Sequence, residues 1–262
     1  MPQHYSYGDH PSQYAELTLP AGSGSIPVVV VVHGGFWQPF YGADLGQPLA
    51  ADLVTHGWAA LNVEYRRVGG SRKTGGGGWP TTMEDVAAAV DSLAGMGQEL
   101  AGGRLDLNKV VGLGHSAGGQ LVGWLGGRTT LPADAPGAKP KVPLSGLVAQ
   151  AGVMDLVHAA DENVGGGAVT DLMGGPPAKL AQAYDWASPI ARLPLRVPSV
   201  CVHGTADENV PMNQSERFVA AAKKAGDTSE LQAFDGDHFD LITVGTPAWT
   251  LCTDAVTRLF AR

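Results

Sequence analysis

Short apolar runs alternate with helix-like stretches along most of this chain of 262 residues. The apolar runs are rich in β-branched side chains, and they are Val28–Val32, Ala59–Tyr65, Val110–Leu113, Leu147–Ala151 and Val197–Val202. Strands that are apolar on both faces are typical of a parallel sheet covered by helices on both sides. The alternation therefore predicts an α/β fold with a mostly parallel central sheet, organised as a single domain over residues 1–262.

Apolar residues between these runs recur at helical spacing. The helix-like stretches are Ala43–His56, Thr82–Leu93, Gln120–Leu125, Gln214–Ala225 and Ala248–Phe260. Near the start of the chain, we expect Tyr14–Pro20 to form a hairpin with the run that begins at Val28. Two segments, Gly69–Gly78 and Gly126–Pro143, lack periodicity and are rich in glycine, so they are expected to be loops.

Charge and composition exclude several classes of protein. The formal net charge of -8 argues against nucleic acids and anionic membrane surfaces as partners. Basic residues do not cluster beyond adjacent pairs such as Arg66-Arg67 and Arg72-Lys73. The first ten residues lack the basic and apolar regions of a signal peptide. The longest apolar run, Ile26–Val32, is too short to cross a membrane. We therefore expect a cytoplasmic protein.

Cysteine and histidine usage gives no sign of a disulfide framework or a metal site. Cys201 and Cys252 both lie in apolar surroundings, which predicts two buried thiols. No spacing of Cys, His and acidic residues matches a metal-binding pattern, so no metal is expected.

The segment Gly114-His115-Ser116-Ala117-Gly118 fits the pattern G-x-S-x-G. It follows a predicted strand and precedes a predicted helix, which is the setting of a nucleophile elbow. The turn is sharp, so small residues must flank the serine where strand and helix approach each other. This pattern predicts that Ser116 is a nucleophile.

Two other glycine patterns point to nucleotides but are incomplete. Gly112–Ala117 also fits a dinucleotide fingerprint, which needs an acid that ends a second strand about 20 residues further on. Asp134 is near that distance, but Leu131–Pro136 has no strand character. The run Gly75–Gly78 lacks the Lys-Ser/Thr of a phosphate-binding loop.

The segment His33-Gly34-Gly35-Phe36-Trp37 follows the first long apolar run. Acyl transfer to a serine develops negative charge on the carbonyl oxygen, which backbone N–H groups can stabilise. We expect these donors to be the N–H of Ala117 and the N–H of Gly35 or Phe36. A tight turn without this role is the alternative.

An acid and a histidine follow Ser116 in the order that such a triad requires. Asp207 lies in the turn after the run Val197–Val202, where it could orient a histidine. Asp155 is the alternative acid, and Glu208 adjoins Asp207. His238 is the one histidine after Asp207 and follows a short strand-like run. The sequence thus predicts the triad Ser116, Asp207 and His238.

Taken together, these residues resemble the α/β-hydrolase superfamily, and more narrowly the kynurenine formamidase (arylformamidase)-like carboxylesterases. The narrower resemblance rests on Tyr7-Gly8, Gln13, His33–Gln38, Tyr65-Arg66, Trp79-Pro80, Asp85 and Gly114–Gly119. Phe36 stands where hormone-sensitive-lipase relatives have a third glycine, which favours the formamidase-like group.

The resemblance implies hydrolysis of a small-molecule ester, aryl-formamide or amide through an acyl-enzyme on Ser116, without a cofactor. It implies that residues 153–188 form a cap or lid, and that Arg66 and Asp85 form a buried pair. Trp37, His115 and Trp186, with Trp79, are candidates for the substrate pocket, with core packing as the alternative for each tryptophan. An exopeptidase resembling prolyl oligopeptidases, a non-catalytic ligand-binding relative and a homodimer stay open.

Overall fold

A computed structural model describes residues 1–71, 73 and 75–262 of the chain. Arg72, one member of a predicted basic pair, and Thr74, in the predicted loop Gly69–Gly78, lie outside the described residues.

The described residues form one sheet of eight strands in the order β1-β2-β4-β3-β5-β6-β7-β8. The strands are β1 (Gln3–Ser6), β2 (Tyr14–Thr18), β3 (Ile26–Val32), β4 (Ala59–Val63), β5 (Leu105–His115), β6 (Gly146–Gln150), β7 (Ser199–Gly204) and β8 (Ser229–Phe234). β1 and β2 are antiparallel to their neighbours, and every pairing from β4 to β8 is parallel. The predicted mostly parallel sheet is therefore confirmed.

The predicted hairpin between Tyr14–Pro20 and the run at Val28 is wrong. β2 pairs with β1 and with β4, where Ala15 lies opposite Val63, and β3 lies between β4 and β5. The burial patterns agree with this order. β3 is buried along almost its whole length, as expected at the centre of a parallel sheet, whereas β2 alternates between buried and half-buried residues, as expected of an antiparallel strand. The hairpin that forms pairs β2 with β1, and β1 has no apolar run from which a strand could be predicted.

Helices cover both faces of the sheet, as predicted. They are α1 (Gln47–Thr55), α2 (Thr81–Asp91), α3 (Met96–Leu100), α4 (Ala117–Gly126), α5 (Leu156–Asp161), α6 (Ala168–Met173), α7 (Ala181–Ala187), α8 (Asn213–Lys224) and α9 (Pro247–Phe260). Successive β3 side chains point to opposite faces. Val29 and Val31 pack with α1 and α9, while Val28 and Val30 pack with α2 and α4. Within the described part of the chain, no helix has the length and apolar character needed to cross a membrane.

The segment 153–188 contains α5, α6 and α7. Most of its buried apolar side chains, among them Leu156, Leu172 and Tyr184, belong to the same core as α2 and α4. It approaches the loop after β3 at Gly165, where an added Cβ would lie 2.5 Å from Cδ1 of Phe36. That this segment acts as a cap stays a prediction.

The two cysteines are buried and unpaired, as predicted. Burial raises the pKa of each thiol to about 12. Neither thiol is therefore ionised to a significant extent at neutral pH.

Candidate active site

A sharp turn between β5 and α4 carries Ser116. Its backbone has φ 55° and ψ -116°, a region that non-glycine residues rarely adopt. A Cβ on Gly114 would overlap the carbonyl oxygen of Gly118, and one on Gly118 would overlap the carbonyl oxygen of Val32. Strand and helix can approach this closely only because both positions are glycine. The local sequence thus places Ser116 at the apex of the turn.

Backbone hydrogen bonds hold the serine in place. The Ser116 N–H donates to the carbonyl of Gln150 on β6 over 2.8 Å, and the Ser116 carbonyl accepts from the N–H of Gln120 over 3.2 Å. Among the described residues, no hydrogen bond involves the Ser116 hydroxyl. The Ser116 hydroxyl and His238 are therefore not joined by a hydrogen bond here, and catalytic contacts of this kind often tighten only when a substrate binds.

Asp207 and His238 form a short hydrogen bond, with 2.6 Å between His238 Nδ1 and Asp207 Oδ2. Asp207 Oδ1 accepts the N–H groups of Asn209 and Val210, each over 2.8 Å. The Asp207 side chain is 1% exposed. Because the carboxylate holds the hydrogen on Nδ1, Nε2 of His238 is left as a proton acceptor.

Burial by itself would raise the pKa of the Asp207 carboxyl. The contact with His203 and the hydrogen bonds from His238 and from the Val210 N–H outweigh burial and hold the pKa well below its usual value. Asp207 is therefore a carboxylate throughout the neutral and mildly acidic range.

The two neighbouring acids are placed differently. Asp155 caps α5 by accepting the N–H of His158 over 3.1 Å, and it pairs with Arg217 over 2.8 Å. Glu208 is exposed to solvent. Of the three acids considered from the sequence, the structure brings Asp207 to His238.

His115 supports His238 from β5. Its Nε2 lies 2.9 Å from the carbonyl oxygen of His238, and the centroids of the two rings are 4.4 Å apart. Burial, followed by the nearby His238, lowers the pKa of His115 to about 3. A neutral His115 donates its Nε2–H to that carbonyl, so this residue holds the backbone of His238.

The loop after β3 turns tightly beside Ser116. Gly35, Phe36 and Trp37 have φ values of 109°, 52° and 56°. His33 Nδ1 lies 2.8 Å from the Gly34 carbonyl oxygen, and the Tyr65 hydroxyl donates to the His33 carbonyl over 2.9 Å. A trans peptide is planar, so its C=O and its N–H point in opposite directions. Holding the Gly34 carbonyl against His33 therefore directs the Gly35 N–H away from His33.

The N–H groups of Gly35, Phe36 and Ala117 have no acceptor within residues 1–71, 73 and 75–262. Gly35 and Phe36 line the same cavity as Ser116, and Ala117 is the first residue of α4. The structure thus leaves the three predicted donors available beside the candidate nucleophile.

A buried carboxylate, Glu64, anchors this loop, and the sequence interpretation missed it. It accepts the N–H groups of Ala43 and Tyr65 over 3.0 and 2.9 Å, and it lies 3.3 Å from both His33 and Arg67. Burial opposes ionisation, but His33 and Arg67 outweigh it and lower the pKa of Glu64. The one signal was an acid at the end of an apolar strand.

Arg66 and Asp85 form the pair that the resemblance implied. The guanidinium donates to both carboxylate oxygens of Asp85 over 2.8 and 2.6 Å, and Gln13 donates to the same carboxylate over 2.7 Å. The Asp85 side chain is 1% exposed. This pair ties α2 to the segment after β4.

Ser116 and His238 open onto a cavity of about 110 Å³. Its remaining walls are Gly35, Phe36, His115, Asn209 and the apolar or aromatic residues Tyr41, Leu45, Phe239 and Ile242. Tyr41 and Phe239 are 50% and 55% exposed. The cavity is thus small and largely apolar, with two aromatic side chains that reach solvent.

Of the residues predicted for the substrate pocket, one lines the cavity and the tryptophans lie in or against the core. His115 lines the cavity, but Trp37 is fully buried, with its Nε1–H donated to Gln120 Oε1 over 3.2 Å. Trp186 and Trp79 pack against the main core. Tryptophan buries a large area wherever it lies, so its presence in the sequence does not distinguish pocket from core. Over the described ranges, no group of three or more His, Cys, Asp or Glu side chains is placed to hold a metal ion.

Gly34 provides a direct test of the loop. An added Cβ at Gly34 would lie 2.9 Å from the His115 carbonyl oxygen and 3.0 Å from Ser116 Cβ. We expect Gly34→Ala to lower kcat about 100-fold by displacing the N–H donors, with the fold retained. Gly24→Ala is the matched control, because nothing lies within 4 Å of its added Cβ. Equal kcat values for the two variants, measured with an ester substrate, would contradict this role of the loop.

The family model of BD-FAE matches residues 16–221 of the chain. Among curated proteins, esterase LipC of Mycobacterium tuberculosis is 27% identical over 230 residues, covering 81% of this chain and 53% of that protein. The chain spans about half the length of the curated relatives it matches.

Solved structures share the architecture over almost the whole chain. A truncated carbohydrate esterase from gut microbiota superposes with a TM-score of 0.80 at 19% identity, covering 99% of this chain and 97% of that one. Butyrate-bound esterase 2 of Thermogutta terrifontis gives a TM-score of 0.76 at 20% identity, covering 99% and 93%. These likenesses show that the fold is the predicted α/β-hydrolase fold.

Proposed function

This chain belongs to the BD-FAE family, and from that premise we propose that it is a serine hydrolase that cleaves carboxylic esters through an acyl-enzyme on Ser116. The observation that carries the proposal is the 2.6 Å hydrogen bond between Asp207 and His238. It orients a histidine in the cavity that also contains the strained Ser116. The naming of the relatives as esterases supports the same reaction.

In the proposed reaction, His238 Nε2 takes the proton of Ser116 as the serine oxygen attacks the ester carbonyl carbon. The N–H groups of Ala117 and of Gly35 or Phe36 stabilise the negative oxygen that forms. When the intermediate collapses, His238 returns the proton to the leaving alcohol, and the acyl group stays on Ser116. Water, activated by His238, then releases the carboxylic acid and regenerates the serine. Asp207 stabilises the His238 imidazolium in both halves.

The size of the cavity indicates short acyl groups. Pockets that enclose drug-sized ligands measure about 300–1,000 Å³, whereas this cavity measures about 110 Å³. We propose that the acyl group enters the cavity while the alcohol portion lies between Tyr41 and Phe239. The same size accommodates a formyl group, so aryl-formamide hydrolysis is the second candidate.

Acyl-chain length tests this assignment. For p-nitrophenyl esters, kcat/KM is expected to be highest between acetate and butyrate and to be at least about tenfold lower at octanoate. Leu45→Ala enlarges the cavity and is expected to move the optimum of kcat/KM to longer acyl chains. Leu251→Ala is the control, because Leu251 lies on α9 outside the cavity, and it is expected to leave that optimum unchanged. An optimum at octanoate in the native protein would contradict the short-acyl assignment.

Parallel rates on p-nitrophenyl acetate and N-formylkynurenine separate the two candidates. Hydrolysis of the ester with no turnover of the formamide supports the esterase and excludes the second candidate. Preference for the formamide reverses the ranking. Absence of turnover on both, with no reaction toward a fluorophosphonate, would refute the serine hydrolase proposal.

A further inference from the structure

A second histidine contacts the candidate acid and takes no part in the reaction described above. His203 lies on β7, and its side chain is 0% exposed. Its Nε2 lies 3.0 Å from the Val210 carbonyl oxygen and 3.4 Å from Asp207 Oδ2. On the other side of the ring, Nδ1 lies 2.7 Å from Ser215 Oγ. His203 therefore joins the end of β7, the loop of Asp207 and helix α8.

These partners define the ring's hydrogen-bonding pattern. The Val210 carbonyl can only accept, so the hydrogen lies on Nε2, and Nδ1 accepts the Ser215 hydroxyl. The Nε2–H thus donates to the Val210 carbonyl over 3.0 Å and lies beside the carboxylate of Asp207, whose Oδ2 is 3.4 Å from Nε2. Ser215 is itself fully buried and also contacts the Cys201 thiol. The ring has no freedom to turn without losing a buried partner.

Asp207 Oδ2 consequently faces two imidazole N–H groups, that of His238 at 2.6 Å and that of His203 at 3.4 Å. Oδ1 is held by two backbone N–H groups of its own loop, those of Asn209 and Val210. The lowered pKa of Asp207 agrees with this geometry, because His203 and His238 are both among the groups that outweigh its burial.

We propose that His203 is a positioning residue, which holds Asp207 Oδ2 toward His238 and withdraws part of its negative charge from that histidine. The inference rests on the proposed hydrolase function. Without the His203 N–H, the carboxylate is freer to turn and attracts the His238 proton more strongly. The groups that face Asp207 are His203 from β7, His238 from the loop after β8 and the N–H groups of its own loop, while His115 on β5 reaches His238.

The test compares two variants of His203 on p-nitrophenyl acetate across pH. His203→Phe keeps a ring but lacks the N–H, and we expect kcat about tenfold lower with KM nearly unchanged. The acidic limb of kcat/KM is expected to move to higher pH in this variant. His203→Gln keeps an N–H donor near the Nε2 position, so its kcat and its pH profile are expected to stay close to the native values. A purely structural role would not move the pH profile.

A third variant covers the case in which His203→Phe does not fold. Ser215→Ala keeps His203 but removes the hydroxyl that fixes its ring, and we expect a smaller change in kcat and pH profile in the same direction. Folded His203→Phe with native kcat and profile would overturn the proposal. A His203→Gln variant with a kcat as low as that of His203→Phe would overturn it too. If His203→Phe does not fold, a Ser215→Ala variant with native kcat and native pH profile would overturn it.

A separate readout distinguishes this inference from the proposed function. Should the native protein neither hydrolyse the ester nor react with a fluorophosphonate, the hydrolase proposal fails. The proton NMR signal of the His238 Nδ1–H then still reports on Asp207. It is expected to shift in His203→Phe and to stay in place in His203→Gln, and an unshifted signal in both variants would overturn the role of His203.

Discussion

Replacing Ser116 by alanine is expected to reduce kcat for ester hydrolysis by on the order of 10⁵-fold or more. The variant lacks the oxygen that attacks the carbonyl carbon, so no acyl-enzyme can form. His238 and the N–H donors stay in place, and what they provide alone is a small residual rate. Steady-state kinetics with p-nitrophenyl acetate measures this loss, and a fluorophosphonate probe is expected to label the native protein but not the variant.

The loss is expected without a change in fold. Alanine retains the Cβ, so it carries the same backbone strain at φ 55° that serine carries. Ser116 also makes its hydrogen bonds through the backbone, which the substitution keeps. Ser145→Ala is the matched control, because the Ser145 hydroxyl donates to the Val110 carbonyl over 3.1 Å, outside the Ser116 cavity. Loss of activity in both variants, or in neither, would contradict the assignment of Ser116.

Asp207→Asn is expected to lower kcat by about 10⁴-fold. The asparagine amide retains the size of the carboxylate but cannot both accept from the Asn209 and Val210 N–H groups and stabilise a charged His238. The asparagine amide also favours the His238 tautomer in which Nε2 carries the hydrogen, and His238 in that tautomer cannot take the proton of Ser116. Asp155→Asn is the matched control, since it makes the same chemical change at an acid that caps α5 and pairs with Arg217.

Asp207→Asn also tests whether the pKa of the Asp207 carboxyl is lowered in the folded protein. The folded pKa of Asp207 is lowered, so its charge stabilises the protein above the ordinary aspartate pKa of about 3.9. That contribution is lost as pH falls below this value toward the folded pKa. The difference in the free energy of unfolding between native protein and Asp207→Asn is therefore expected to be largest near neutrality and to shrink below about pH 4. A difference that does not vary with pH would contradict the lowered pKa.

The proximity of the three candidate triad residues could be predicted because each of them follows a strand. Ser116, Asp207 and His238 come after β5, β7 and β8, and the carboxyl ends of parallel strands meet at one edge of a sheet. Gly35 and Phe36 follow β3 in the same way. Local sequence and topology together were sufficient to predict that these residues lie at one edge of the sheet.

The misses have a different cause, because they depend on long-range packing. The sequence of β2 does not state which strand it joins, and tryptophans such as Trp37 and Trp186 suit core and pocket equally. Glu64 contacts Ala43 and His33, which are distant in the sequence. His203 contacts Asp207, Val210 and Ser215 through a loop whose conformation no short pattern encodes. Their one signal is a polar residue at the end of an apolar strand.

Adduct mapping tests the central claim most directly. The native protein is treated with a fluorophosphonate, digested, and its peptides are sequenced by mass spectrometry. We predict one phosphonate adduct, on Ser116, and no adduct after treatment of Asp207→Asn for the same short time. An unmodified Ser116, or an adduct at a different serine, would contradict the claim that Ser116 is the nucleophile.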